Sequence, residues 1–171
     1  MRSKYLLLLP ATYLVLSACG GAKKAMKQQR YMAAAYKDLK GTLNEADVKL
    51  LNDTVKVVFD NKILFDFASA TIKPQNFSAF ERFAKALNNH GKTKILITGY
   101  TDAVGTDEHN NNLSMRRADS ARNLLTAYHV KAGRIFTWGL GSKNPLSTNE
   151  TEEGRKLNRR CEFILLYNYK Q

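Results

Sequence analysis

Cysteine is scarce in this chain of 171 residues: only Cys19 and Cys161 occur, which excludes a disulfide-rich scaffold and a four-cysteine zinc site. Histidine is scarce too. His90, His109 and His129 have neither the spacing of a helical metal pair nor a partner set for a Ser or Cys nucleophile. The adjacent carboxylates Asp107 and Glu108 sit in a polar stretch that reads as solvated rather than as a glycosidase pair. No apolar run reaches the about 20 residues of a membrane span, and the longest candidate, Tyr5 to Leu16, is interrupted by Pro10. Acidic residues are outnumbered, 15 against 27 Lys and Arg, and the net +12 favours an anionic partner: nucleic acid, phospholipid or cell-wall polymer. Repeats and low-complexity segments are lacking, and a chain that is 44% hydrophobic and 25% charged is neither disordered nor fibrous. Nothing here calls for a cofactor, a metal or an enzyme.

The chain opens with Arg2 and Lys4, then the apolar stretch, then the small residues Ser17 and Ala18 before Cys19. That is the layout of an export signal over residues 1–18. Leu16-Ser17-Ala18-Cys19 further resembles a bacterial lipoprotein box, in which the cysteine is acylated and becomes the mature N-terminus; the alternative is an ordinary signal peptide with an incidental cysteine. Acyl chains supply roughly 0.8 kcal/mol per buried CH₂, and stable anchoring takes more than one chain, a condition that the resemblance to triacylated lipoproteins would meet. Gly20 follows where an Asp would resemble an inner-membrane retention signal, so the expected address is the periplasmic face of the outer membrane. Cleavage before Cys19 removes two cations and lowers the charge from +12 to +10, so the basic character belongs to the mature chain. With Cys19 lipidated, Cys161 has no intrachain partner and reads as a small buried hydrophobe on a strand.

Residues 19–53 form a lipid-anchored arm. Ala25 to Lys40 is rich in good helix formers, and about 34 residues from Gly20 to Asp53 would reach roughly 50 Å as a helix or on the order of 100 Å extended. Two readings stay open: a free arm, or a helix over 33–51 packed on the domain. Residues 54–171 form the domain. Val55 to Phe59 is β-rich, and Asp60-Asn61 turns toward Ile63-Leu64-Phe65, a plausible hairpin. From Pro74, the positions Phe77, Phe80, Phe83, Ala84 and Leu87 recur at helical spacing up to His90-Gly91. Lys94 to Thr98 is a short apolar strand closed by Gly99. After a polar loop, Asn110 to Asn112 offer helix caps ahead of a stripe of Leu113, Ala118, Ala121, Leu125 and Tyr128. Ile135 to Trp138 and Cys161 to Leu166 supply two more strands. The expected architecture is α+β, with two helices on one face of a mixed sheet, strand order in sequence βαβαββ.

Four blocks then match a family in order: Leu64-Phe65-Asp66-Phe67, Gly99-Tyr100-Thr101-Asp102-Ala103-Val104-Gly105, Asn110 to Ala118, and Glu153-Gly154-Arg155-Lys156-Leu157-Asn158-Arg159-Arg160. Together they resemble the C-terminal peptidoglycan-binding domain of outer membrane protein A, shared with peptidoglycan-associated lipoproteins and flagellar stator proteins, over residues 55 to 168. The resemblance implies an OmpA-like sandwich that binds the diaminopimelate of the wall's stem peptide without covalent chemistry. That group carries an ammonium and a carboxylate on one carbon, so its recognition needs a fixed anion and a fixed cation. Asp102 and Arg117 fit those roles, since an Arg can clamp a carboxylate through two parallel donors. Their pairing with each other is the alternative. Asn110 matches a position that contacts ligand backbone, with helix capping as an alternative or coexisting role. Asp66 and Arg160 are secondary candidates, with holding a turn the alternative for Asp66 and a structural ion pair near the sheet end that for Arg160, and Arg159 reads as framework. Tyr100 and Ala68 depart from the family's frequent His and second acidic residue, and Cys161 replaces a β-branched one.

Other readings fare less well. Gly139-Leu140-Gly141-Ser142-Lys143 lacks the full phosphate-loop pattern, no aromatic-basic RNA motif is evident, and export disfavours nucleic acid. The partners expected are peptidoglycan, the outer membrane through the lipid, and possible further envelope proteins of a secretion or motility assembly docking on Lys23 to Lys40.

Overall fold

A computed structural model describes residues 15–66 and 68–167. The expected export signal lies almost wholly outside the described residues. Helix α1 (Val15–Thr42) is followed by strands β1 (Asp47–Leu51) and β2 (Thr54–Asp60), a one-turn helix α2 (Asn61–Leu64), helix α3 (Phe77–Asn89), strand β3 (Thr93–Gly99), helix α4 (Asp107–Ala127), strand β4 (Ile135–Gly139), helix α5 (Glu152–Asn158) and strand β5 (Arg160–Tyr167).

The strands form one sheet in the order β1-β2-β5-β3-β4. Only β3 and β4 run parallel, as their connection through α4 requires; the other pairs are antiparallel. Val57, Phe163 and Ile97 share one row across the sheet, and Val55, Leu165 and Ile95 the next. These side chains are all buried on the face that carries the helices. Phe80 and Phe83 of α3 meet Phe59 and Phe163 of the sheet with ring centroids 5.2–6.1 Å apart. Edge and offset contacts of this kind stabilise beyond the area they bury. The opposite face is open and carries Lys56, Lys94, Leu96, Ile164 and the exposed Phe136 and Trp138.

The α+β sandwich and its mixed sheet agree with expectation, and three local features differ. The hairpin through residues 63–65 does not form. Asn61–Leu64 turns into α2, and Phe65 makes only an isolated bridge with Ile72. The hairpin is instead β1 with β2, turning at Asn52, whose φ of 55° an asparagine tolerates. Finally, of the two readings for residues 33–51, the helix docks: Met32, Ala35, Leu39 and Leu43 are buried against the domain, while 47–51 add an edge strand rather than continue the helix.

Candidate ligand-binding site

The site sits where β3 ends and α4 begins. Gly99 closes β3 against α4 so tightly that a Cβ there would collide with the Ser114 carbonyl. The chain is then pinned on both sides: the Tyr100 amide donates to the Arg160 carbonyl (3.0 Å) and the Thr101 amide to that of Gly141 (2.8 Å). Asp102 follows directly, and its Oδ1 accepts from the Val104 amide at 3.1 Å, a local turn that fixes the carboxylate. Gly105, at φ 95°, makes the reversal that leads into α4. The helix is capped by Thr106, which accepts from the His109 amide, and not by the asparagines at 110 to 112. Asn110 lies inside the first turns and spends its amide hydrogens on the carbonyls of Val104 (3.1 Å) and Asp102 (3.4 Å), so it ties the loop to the helix.

Asp102 and Arg117 line one cavity of about 680 Å³ together with Phe65, Asp66, Asn110, Leu113, Glu152, Arg155 and Arg159. Arg117, 5% exposed, comes from the face of α4 that also buries Leu113 and Ala121. Its guanidinium lies over the Phe65 ring at 5.2 Å and donates through Nε to the Ser69 carbonyl at 3.0 Å. Its terminal nitrogens carry no further hydrogen bond among the described residues, which leaves two parallel donors for a carboxylate. Burial lowers the Arg117 pKa, with the nearby Asp102 charge opposing that shift. Asp102 and Arg117 do not pair directly; the Asp102 carboxylate is held by Arg159 at 2.6 Å.

The sequence reads Arg159 as framework and Arg160 as a secondary contact or a structural ion pair near the sheet end. The structure puts Arg159 on the cavity wall and Arg160 in such an ion pair. Arg159 bridges Asp102 and Glu152, the latter at 2.5 Å. Burial pulls its guanidinium down, but hydrogen bonds to Glu152 and Asp102 outweigh that and hold it above its ordinary value. The same bond holds the Glu152 carboxyl below its ordinary value, with Arg155 adding to it. Arg160 instead turns to the other side of the strand, 4% exposed, where it donates to Glu162 (2.7 Å) and stacks 3.6 Å over Tyr100. Arg159 is the extended residue that leads from α5 into β5 and Arg160 the first of the strand, and successive extended residues face opposite ways, so the pair puts one cation on each side. Asp66 stands at the rim, largely exposed, with Lys73 at 3.1 Å. Cys161 is buried, its thiol pushed up to about 12, and stays an inert core residue beneath the site.

The cavity thus sets one carboxylate and one buried guanidinium side by side, with further charges paired around them. It is suited to a small zwitterionic headgroup. Comparison with known proteins identifies the family. "Probable lipoprotein YiaD" of Escherichia coli is 40% identical over 113 residues, covering 66% of this chain and 52% of that protein. "Peptidoglycan-binding protein ArfA" of Mycobacterium tuberculosis is 35% identical over 115 residues, covering 67% of this chain and 35% of that protein. This chain therefore spans about half of the one and a third of the other. Among solved structures, the cell wall anchor of the T6SS from Pseudomonas aeruginosa superposes with a TM-score of 0.66 at 30% identity, covering 82% of this chain and 97% of that one. The OmpA family profile matches residues 64–159, more than half of the sequence and a span that holds Asp102, Arg117 and Arg159: this chain belongs to the OmpA family.

Proposed function

We propose that the protein is an outer-membrane lipoprotein, anchored through Cys19, whose domain binds peptidoglycan non-covalently at the diaminopimelate of the stem peptide and so tethers the membrane to the wall. The observation that carries this is the shared cavity of Asp102 and Arg117. An ammonium and a carboxylate on one carbon would meet the Asp102 oxygens and the terminal nitrogens of Arg117. Hydrogen bonds to charged groups contribute about 1.5–3 kcal/mol each, so either one accounts for a tenfold change or more. Arg159 already holds Asp102 at 2.6 Å, which fixes the carboxylate before the ligand arrives. Three relatives support the reading by what they are: a probable lipoprotein, a peptidoglycan-binding protein and a cell wall anchor.

The test is sedimentation with purified sacculi. Asp102→Asn and Arg117→Lys lower binding by more than about tenfold with the melting temperature nearly kept, free meso-diaminopimelate competes, and no muropeptides are released. Unchanged sedimentation of both variants, or no competition, overturns the site. Cys19→Ala moves the chain to the soluble periplasmic fraction; retention in the membrane overturns the lipid anchor. A wall-anchoring role inside a secretion or motility assembly is the second reading, favoured by the 82% of this chain that the T6SS anchor covers. Co-purification of the full chain with such an assembly separates the two.

A further inference from the structure

We infer that the outer face of α1 is a docking surface for the anionic headgroups of a phospholipid bilayer. No side chain from residue 21 to 31 is fully buried; Tyr31 packs on the edge of the core and Met32 is the first buried in it. At about 3.6 residues per turn, Lys23, Lys27, Arg30 and Lys37 fall in one narrow arc, and Met32, Ala35 and Leu39 fall on the opposite side. The structure bears this out, with the four cations exposed and the three apolar residues buried. None of the four is held by a carboxylate among the described residues, and no Asp or Glu occurs between residues 15 and 37. Asp38, the first acidic residue, is turned to His90 at 3.0 Å.

The stripe is fixed relative to the domain. Gln28 bonds Asp53 at 2.5 Å, and the Tyr31 hydroxyl accepts from the Lys92 amide at 3.0 Å. Four cations therefore face outward along roughly 20 Å of rigid helix, at about 1.5 Å per residue. The one large apolar side chain exposed on this stretch is Met26, so the surface is built to rest on headgroups rather than to insert. A flat anionic surface fits such a row, and each Lys or Arg near it adds affinity only within about a Debye length. Position 19 lies one helical turn before Lys23. This step rests on the lipoprotein reading, because acylation there would hold the stripe at the bilayer. The basic stripe then adds an electrostatic attraction to the hold of the acyl chains and sets which side of the helix faces the headgroups.

The experiment uses the mature chain from residue 19 with Cys19→Ser, so that no acyl chain contributes; every buried side chain described lies at Met32 or beyond. It should sediment with vesicles of phosphatidylcholine mixed with phosphatidylglycerol, not with phosphatidylcholine alone, and release on added salt. Lys23→Gln, Lys27→Gln, Arg30→Gln and Lys37→Gln combined should weaken binding at least about tenfold. Lys23→Gln with Lys27→Gln should act in the same direction at smaller size. The same number of changes elsewhere (Lys85→Gln, Lys131→Gln, Lys143→Gln and Lys156→Gln) should cost less than about twofold. Equal losses in both sets, or no sedimentation with anionic vesicles, overturns the proposal; the latter is also the outcome if an acidic protein or a nucleic acid is the true occupant. All variants should still sediment with sacculi. A chain that binds vesicles but not sacculi overturns the wall reading alone.

Discussion

At the scale of single residues, the two adjacent arginines carry different burdens. Arg160 is 4% exposed and its partner Glu162 3%, so removing the cation leaves a buried carboxylate with only Lys56 at 2.8 Å to balance it. Breaking a buried pair costs about 3–5 kcal/mol, and the remaining Lys56 brings the expected loss for Arg160→Ala to about 2–4 kcal/mol by urea unfolding. Arg159→Ala should behave in the opposite manner, with small loss of stability and clear loss of sacculus sedimentation, because it frees Asp102 from its anchor. Glu152 gives this corner a pH dependence. Its folded pKa is depressed by the Arg159 hydrogen bond, so its contribution is present above the ordinary carboxylate range and is lost as the pH falls through the depressed value. Acid unfolding curves of Glu152→Gln should lose that part of the slope, and a superposable curve would show that the bond does not form in solution.

At the scale of elements, one buried cation joins three of them. Arg134, just before β4, donates to the carbonyls of Leu87 (3.0 Å) and His90 (3.0 Å) at the end of α3 and to Thr93 O (2.9 Å) at the start of β3. Leu87 O belongs to the last turn of α3, where helical carbonyls lack partners, and His90 O also accepts from the Thr93 amide and hydroxyl. Burial lowers the Arg134 pKa from its ordinary value. Arg134→Met should keep the packing and strip the Leu87 carbonyl of this donor, destabilising the fold by about 1–3 kcal/mol, with faster amide exchange at the end of α3. This role was not legible in the sequence: an Arg after a glycine gives no sign of which carbonyls it will cap. The elements themselves were more legible where the pattern is dense. Phe80, Phe83 and Leu87 spell out α3, and Ile95 and Ile97 spell out β3. The docking of α1 is not legible in the sequence because its apolar contacts, Met32, Ala35 and Leu39, are sparse and partly small, and β1 is only five residues long. In the site, Asp102 and Arg117 could be read from their motifs. That Arg159 and not Arg160 lines the cavity is not legible from the motif alone, because the pair of arginines does not state which side chain points to which side where α5 passes into β5.

At the scale of the molecule, the docked helix changes what counts as the folding unit. Residues 54–171 hold the cavity, yet Met32, Leu39, Leu43 and Val48 are each at most 2% exposed against that part. Burying side chains of this size contributes about 1.5–3 kcal/mol apiece, and whole domains are stable by only about 5–15 kcal/mol. Four such contacts are therefore comparable with the entire stability, even after allowance for a compact unfolded state. Removing α1 and β1 would also uncover Val55 and Val57 and turn β2 into an unpaired edge, a template for aggregation. A chain beginning at residue 54 should melt far below one beginning at residue 20, or fail to stay in solution, and it should lose sacculus binding through unfolding rather than through its site. Equal melting temperatures for the two chains would show that the helix and edge strand lie on a domain that is complete without them. The expected outcome would mean that α1 and β1 are also part of the scaffold that holds Asp102 and Arg117 in place.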